Sequence, residues 1–466
     1  MLDVPGNYIK GEWVAADDDV ARDIVYDPAT NRRVGSAPQS GPQEVDAAVT
    51  AARGALPGWS SATRHQRREL IWALHNATVA AREEIADLIS AEMGSPKEFA
   101  RSEHVGTPIA IIANCAEMLG EPEAEQRIGN SLIVREPIGV VAAILPWNYP
   151  LYQLVAKVIP ALAAACTVVI KPAELTPLAT YRFTQLVDEV GFPPGVFNVV
   201  FGTGPIVGDG LSRHPEVDMV SFTGSTRAGR SVTQAAAGTI KRVALELGGK
   251  SASLLAPDAD LPTAVHATVA YCLINAGQAC NAWTRLVAPR EQRDQIERLA
   301  GAAAAELEPT IGPLITAERY EQVQRYIAGA IDQGARLIAG GPGHPDARPE
   351  GHYARATVLA DVTSEMTVAQ EEVFGPVLAI QYYDSLDEGV AIANDSVYGL
   401  HGGVWAGTVE EGVRIARQIH TGQLDVNGAE FNVAAPFGGY KQSGNGRELG
   451  PIGLDEFLET KAIQLP

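Results

Sequence analysis

The segment Gly139-Val140-Val141-Ala142-Ala143-Ile144-Leu145 runs directly into Pro146-Trp147-Asn148-Tyr149-Pro150, and it sets the architecture. It is apolar, rich in β-branched residues and too short for a helix, so it reads as a buried strand closed by a proline-bounded turn. Similar runs follow at Thr167 to Ile170, Val196 to Val200, Val217 to Phe222 and Val243 to Leu247, with helical spacing between them. Continuous apolar strands separated by helices predict a parallel sheet covered on both faces. A second α/β series begins near Ser251, with a strand-like Ser251 to Leu255, a helix through Asn275 and later segments to about Val426. Upstream, helical spacing dominates from about Glu44 to Leu119. Residues 1–40 alternate short β-prone runs (Tyr8-Ile9, Ile24-Val25-Tyr26) with turn signals such as Asp27-Pro28, which predicts a hairpin arm. The fold class is α/β.

A chain of 466 residues exceeds one ordinary core, so two or three domains are expected, and 46% hydrophobic content allows all of them to fold. The net charge of −20 disfavours nucleic acid or an anionic membrane surface as partner. The local cluster Arg64-His65-Gln66-Arg67-Arg68 reads as a solvated helix face. Four cysteines, Cys115, Cys166, Cys272 and Cys280, show no C-x-x-C pairing and no disulfide density, which fits a reducing cytoplasm. The longest apolar tract, Leu154 to Ile170, is broken by Lys157 and Pro160 and is shorter than the roughly 20 residues of a spanning helix. The N-terminus carries no charged-then-apolar leader, so an unprocessed intracellular protein is expected. The nine histidines show no H-E-x-x-H spacing, so no metal is expected.

The chemistry is carried by Cys280, in Asn275-Ala276-Gly277-Gln278-Ala279-Cys280, and Glu246, in Glu246-Leu247-Gly248-Gly249-Lys250. A thiolate adds to a carbonyl carbon, and a carboxylate activates the water that releases the resulting thioester. That pairing suits oxidation of an aldehyde. Glu246 follows an apolar strand, and Gly248-Gly249 predicts a tight bend that leaves it at a strand's carboxyl end, where open α/β sheets place their sites. Cys115, Cys166 and Cys272 read as small apolar fillers. Thr176-Pro177 offers a helix N-cap with proline at the first helical position. Tyr149, Gln153 and Ala156 recur at helical spacing after Asn148, either facing a substrate tunnel or lying in the helix core.

Glu-Leu-Gly-Gly-Lys followed downstream by Gly-Gln-x-Cys resembles the aldehyde dehydrogenase superfamily, and other family motifs recur in order from Pro146 to Arg447. The resemblance implies a Rossmann-like NAD-binding domain (1–120 and 138–247), an α/β catalytic domain (248–445) and a small β oligomerisation element (121–137 and 446–466). That element joins the acidic stretch Glu121 to Gln126 and Ser131 to Glu136 to the last strand near Lys461 to Leu465, and implies a homodimer or homotetramer. Cys280 becomes the nucleophile and Glu246 the general base. Asn148 and the Cys280 backbone N–H become the oxyanion donors. Trp147 matches the same motif. Lys171 and Glu174 would hold the adenosine ribose, and the charge of Glu174 favours NAD over NADP, with NADP still possible. Gly224, Ser225 and Gly229 lie at a strand-to-helix turn suited to the pyrophosphate, with Ser225 at the phosphate. Glu372 and Phe374 match the nicotinamide-ribose segment. Phe437 would line the tunnel with Tyr149, Gln153 and Ala156, while Lys157 and Glu448 form either a proton exit for Glu246 or a buried ion pair.

Two features depart from the family pattern. The chain between Leu286 and Ile311-Gly312-Pro313-Leu314 is shorter than usual, and Trp283, in Asn281-Ala282-Trp283, is bulky beside the nucleophile. Both bear on loop shape and substrate choice. An acylating dehydrogenase that resolves the thioester with coenzyme A is the nearer alternative, against which Glu246 weighs. A binding protein without turnover is the more distant one.

Overall fold

The computed structural model describes residues 1–17, 19–120 and 126–466. The five anticipated strands appear as Val140–Ile144, Thr167–Lys171, Phe197–Val199, Met219–Thr223 and Arg242–Glu246, all parallel. Antiparallel strands extend both edges. Gly444–Asn445 pairs with Arg242–Glu246, and the hairpin Gly6–Ile9 and Glu12–Ala15 pairs with Phe197–Val199. Both faces are covered because successive residues of one strand point opposite ways. Val140, Ala142 and Ile144 pack in a cluster with Val45, Val49 and Ala52 of the helix Pro42–Ser60, whereas Val141, Ala143 and Leu145 join Leu154, Val155 and Ile159 of the helix Pro150–Ala163.

After Phe197–Val199 the chain returns past its first strand and adds Met219–Thr223 and Arg242–Glu246 on the other side of Val140–Ile144. The order therefore reverses between Val140–Ile144 and Met219–Thr223, and a crevice opens beyond their carboxyl ends at such a switch point. Trp147-Asn148 and Gly224-Ser225 follow these two strands.

The second sheet runs Arg336–Ala339, Thr357–Ala360, Val377–Tyr383, Arg285–Pro289, Ala252–Leu255, Gly402–Trp405 and Asp425–Val426, parallel except at its first strand. A third, antiparallel sheet joins Leu458–Gln464, Ser131–Pro137 and Gln126–Ile128. Of the acidic stretch that begins at Glu121, positions 121–125 lie outside the described residues. The long apolar tract divides between the helix Pro150–Ala163 and the strand Thr167–Lys171, and no helix among the described residues is long and apolar enough to cross a membrane.

Two local expectations are corrected. The basic cluster is not a solvated face: Arg67 is buried with Nε donating to the Ala163 carbonyl, Arg64 donates to the Met118 carbonyl and Arg68 to that of Ala116. The arginines tie helices together through main-chain carbonyls. Thr176 does not cap the next helix, Leu178–Val190; its hydroxyl donates to the Trp147 carbonyl. The capping acceptor is the buried carboxylate of Glu92, from the helix Arg82–Met93, which receives the N–H groups of Leu178 at 2.7 Å and Ala179 at 3.1 Å.

Candidate active site

The helix Leu261–Leu273 gives way to Asn275, Ala276 and Gly277, all left-handed at φ 49°, 57° and 74°. Such residues with side chains cost about 1 kcal/mol or more each, so their surroundings must hold them. The Asn275 side-chain amide donates to the Asn148 carbonyl at 3.0 Å and to the Gln278 carbonyl at 3.3 Å, and Asn148 Nδ2 donates to the same Gln278 carbonyl at 3.0 Å. Gln278 in turn donates to the carbonyls of Asn275 and Pro313 and accepts from the Ile315 N–H. These bonds bind the turn after Val140–Ile144 to the loop that carries Cys280. Sequence reading treated Asn275 and Gln278 only as context. Their signal is two amides flanking a glycine in an otherwise apolar stretch.

Cys280 is the one cysteine of the four that is half-buried rather than buried. Burial pushes its thiol well up, and Glu372, Glu246 and Glu448 push it the same way. The resting sulfur is therefore protonated and needs a base. Cys115, Cys166 and Cys272 are buried, and burial raises each thiol to about 12, as expected of inert fillers.

Glu246 ends its strand buried, and among the described residues no group donates to either carboxylate oxygen. Burial, reinforced by Glu448 and opposed by Lys157 and Arg447, holds its carboxyl well above the usual range. Gly438 passes so close that a Cβ there would fall 2.7 Å from Glu246 Oε1. Gly248 and Gly249 do not adopt a left-handed bend; they provide room. A Cβ at Gly248 would fall 2.2 Å from Glu372 Oε2, and one at Gly249 would fall 2.5 Å from the Cys280 carbonyl oxygen.

Lys157, fully buried, pairs with Glu448 Oε1 and also donates to Thr223 Oγ1 at 2.5 Å and Gln153 Oε1 at 3.2 Å, so its three donors are all used. Glu448 Oε2 has no partner among the described residues. Backbone bonds between Glu448 and Phe437 fix the carboxylate beside the tunnel motif.

The cofactor candidates lie along the switch-point crevice. Lys171 Nζ donates to the carbonyls of Pro172 and Gly202 and stands 3.4 Å from Glu174 Oε2. Glu174 Oε1 accepts from the Gly204 N–H, which leaves its other oxygen as an acceptor for a sugar hydroxyl. Ser225 caps the helix Thr226–Ala236, accepting from the Ala228 N–H, so this helix start presents backbone donors beside Gly224. Gly229 is a packing position on the same helix: a Cβ there would strike Leu247 at 2.8 Å. At the far end Glu372 Oε1 accepts from the Gly249 N–H at 3.1 Å, and burial lifts its carboxyl to about 7. Trp147 meets Phe374 edge-on at 5.5 Å, and Arg319, which sequence reading missed, lies 5.5 Å over the Phe374 ring. A ribose-holding pair, a helix N-terminus and a second, half-buried carboxylate along the crevice fit a dinucleotide.

Of the substrate candidates, Tyr149 stacks on buried His104 at 4.6 Å, and Phe437 packs against Phe431 at 6.1 Å. Gln153 is spent on Lys157, and Ala156 is sealed in the core. Tyr152, one position from the residue the spacing favoured, shares the apolar cluster with Cys280, Trp147, Phe431 and Phe437. Its ring meets Tyr149 at 6.3 Å, an i,i+3 pair that the i,i+4 reading passed over.

The profile of the aldehyde dehydrogenase family matches residues 13–463. The chain belongs to the aldehyde dehydrogenase family. It is 46% identical to a 3-succinoylsemialdehyde-pyridine dehydrogenase of a Pseudomonas species, over 99% of both chains. A variant of aldehyde dehydrogenase C from Pseudomonas syringae, solved with NAD+ and octanal, superposes with a TM-score of 0.96 at 44% identity over 99% of this chain and 96% of that one. The Mycobacterium tuberculosis aldehyde dehydrogenase solved with NAD+ superposes equally well, TM-score 0.96, at 40% identity over 100% of this chain and 99% of that one. As a member of this aldehyde dehydrogenase family the protein is an oxidoreductase, and the α/β fold read from the strand pattern is the family fold.

Proposed function

We propose that this aldehyde dehydrogenase oxidises a ring-bearing or long apolar aldehyde to its carboxylic acid, with NAD as hydride acceptor. The observation that carries the reading is a half-buried thiol that, like Tyr152, Trp147 and Phe431, packs against the apolar cluster holding Phe437, with the unpaired Glu246 carboxylate close enough to perturb it. The Cys280 thiol passes its proton to a solvent water, not to Glu246, as sulfur bonds to the carbonyl carbon. The oxygen, now an alkoxide, is held by Asn148 Nδ2 and the Cys280 N–H. NAD, when bound, takes the hydride from that carbon, which leaves a thioester. Glu246 then removes a proton from water as its oxygen attacks the thioester carbon, and the C–S bond breaks to release the acid. The unpaired Glu448 Oε2, next to Lys157, supports a proton exit from Glu246.

Lys171 and Glu174 hold the adenosine ribose, the helix start at Gly224-Ser225 takes the pyrophosphate, and Glu372 with Phe374 and Trp147 holds the nicotinamide end. Glu174 repels a 2′-phosphate and so favours NAD. A 3-succinoylsemialdehyde-pyridine dehydrogenase and an octanal complex among the relatives support an aldehyde with an apolar or ring-bearing body.

The oligomerisation element comprises residues 121–137 and 446–466. Exposed Ile128 and Ile463 on its small sheet support a homodimer or homotetramer. The NAD-binding domain is 1–120 with 138–247 and the catalytic domain 248–445. Four free cysteines support a cytoplasmic setting.

The test is purified protein with NAD and a panel of short, long and aromatic aldehydes, read as NADH absorbance. Turnover strongest on the long or ring-bearing members and abolished in Cys280→Ala is expected, with NAD binding and the melting temperature unchanged. Equal turnover by Cys280→Ala, or a preference for the shortest aldehydes, would refute it.

A further inference from the structure

We infer that Trp283, His401 and Asp425 form a buried ladder, one hydrogen bond and one close polar contact, that positions the Cys280 loop for attack. The three stand at the amino ends of parallel strands of the second sheet, Gly402–Trp405 beside Asp425–Val426 and Arg285–Pro289 one strand further on across Ala252–Leu255. Trp283 Nε1 donates to His401 Nδ1 at 3.0 Å. An indole N–H is only a donor, so Nδ1 is the unprotonated nitrogen and the ring proton of neutral His401 is on Nε2. That nitrogen lies 3.1 Å from Asp425 Oδ2, close but out of line for a hydrogen bond, with His401 fully buried and Asp425 nearly so. The indole N–H fixes Nδ1 as the acceptor, and the nearby carboxylate charge favours the ring proton on Nε2.

The indole is gripped from its other sides as well. It stacks on Tyr271 at 4.4 Å and meets the Trp405 edge at 6.5 Å, and a Cβ on Gly403 would come within 3.0 Å of it. Tyr271 OH accepts from the Asn281 side chain at 2.9 Å, so both Asn281 and Trp283, the residues just after Cys280, are anchored. The Asn281 carbonyl is also 3.1 Å from His401 Nδ1. If Nδ1 carried the proton it would donate there, and the Trp283 N–H would lose its acceptor. The bulky tryptophan after the nucleophile is therefore the handle by which a remote carboxylate holds the backbone that presents the thiol and its N–H. Asp425, His401 and Trp283 are positioning residues, and the inference rests on Cys280 being the nucleophile.

The test is NADH formation in a single turnover, with enzyme in excess over aldehyde and NAD saturating. Nearly isosteric Asp425→Asn is expected to slow this step about tenfold while leaving the KM for NAD and the melting temperature unchanged. Trp283→Phe should slow it similarly, and Trp283→Phe/Asp425→Asn should be no slower than Trp283→Phe alone, because the carboxylate acts through the indole. His401→Gln, whose amide oxygen can accept from Trp283 while its NH2 donates to Asp425, should retain most of the rate that His401→Phe loses. Asp425→Asn at the wild-type rate, or losses that multiply in the double variant, would overturn the ladder. Wild-type NADH formation that survives Cys280→Ala would instead overturn the nucleophile assignment, and the ladder with it.

Discussion

A carboxylate enclosed with neither oxygen paired, as at Glu246, is expensive unless it spends time protonated, and its raised proton affinity is what a base for water near neutral pH needs. Glu246→Gln separates the two halves of the reaction, since hydride transfer requires Cys280 and Asn148 whereas release of the acid requires the base. The variant should give an NADH burst of about one equivalent per site followed by slow turnover, with the acyl group on the Cys280 peptide by mass spectrometry. Steady-state rates like wild type would exclude Glu246 from deacylation, and release that depends on coenzyme A would favour the acylating alternative. Glu174→Gln removes the charge that repels a 2′-phosphate. It should raise the KM for NAD about tenfold and narrow the NAD-to-NADP ratio of kcat/KM, and an unchanged ratio would place the carboxylate away from the ribose.

At the scale of elements, the helix Leu178–Val190 begins on a borrowed cap. Glu92 reaches across from another helix to accept two orphan N–H groups, in a site that buries it completely. Burial raises its carboxyl from 4.5 to about 8 despite those two bonds. The native state therefore binds this proton more tightly than the unfolded chain does. The stability it contributes is full below pH 4.5 and is lost as pH rises through about 8. Glu92→Gln should lower the melting temperature at acidic pH, by about 1–3 kcal/mol of stability, because one N–H is left facing an NH2 group. It should also flatten the fall in melting temperature between pH 5 and 8, measured by calorimetry in matched buffers. An unchanged slope would show that Glu92 is ionised throughout.

For the whole molecule, the small sheet formed by Gln126–Ile128, Ser131–Pro137 and Leu458–Gln464 is mostly exposed, with Ile128 62% and Ile463 40% accessible. Large apolar side chains on an exposed sheet are what an interface between copies would cover. Ile128→Lys with Ile463→Asp should shift the protein to a smaller species in light scattering coupled to size exclusion. An unaltered mass would place the interface elsewhere.

Sequence alone determined the parallel strand series, because an apolar run such as Val140 to Leu145 has only one way to bury both of its faces, and it singled out Cys280, Glu246 and Asn148 because their chemistry is local to recognisable motifs. It could not show that Glu92 caps a distant helix, that Arg64, Arg67 and Arg68 bind carbonyls, or that His401 and Asp425 stand behind Trp283. Those contacts join residues far apart in the chain, and nothing in periodicity or spacing records which distant carbonyl or carboxylate a buried donor will meet. The turn at Gly248-Gly249 shows the same limit. Sequence marked the glycines, but only the folded chain showed that they make room for the Glu372 carboxylate and the Cys280 carbonyl and are not there to bend the backbone.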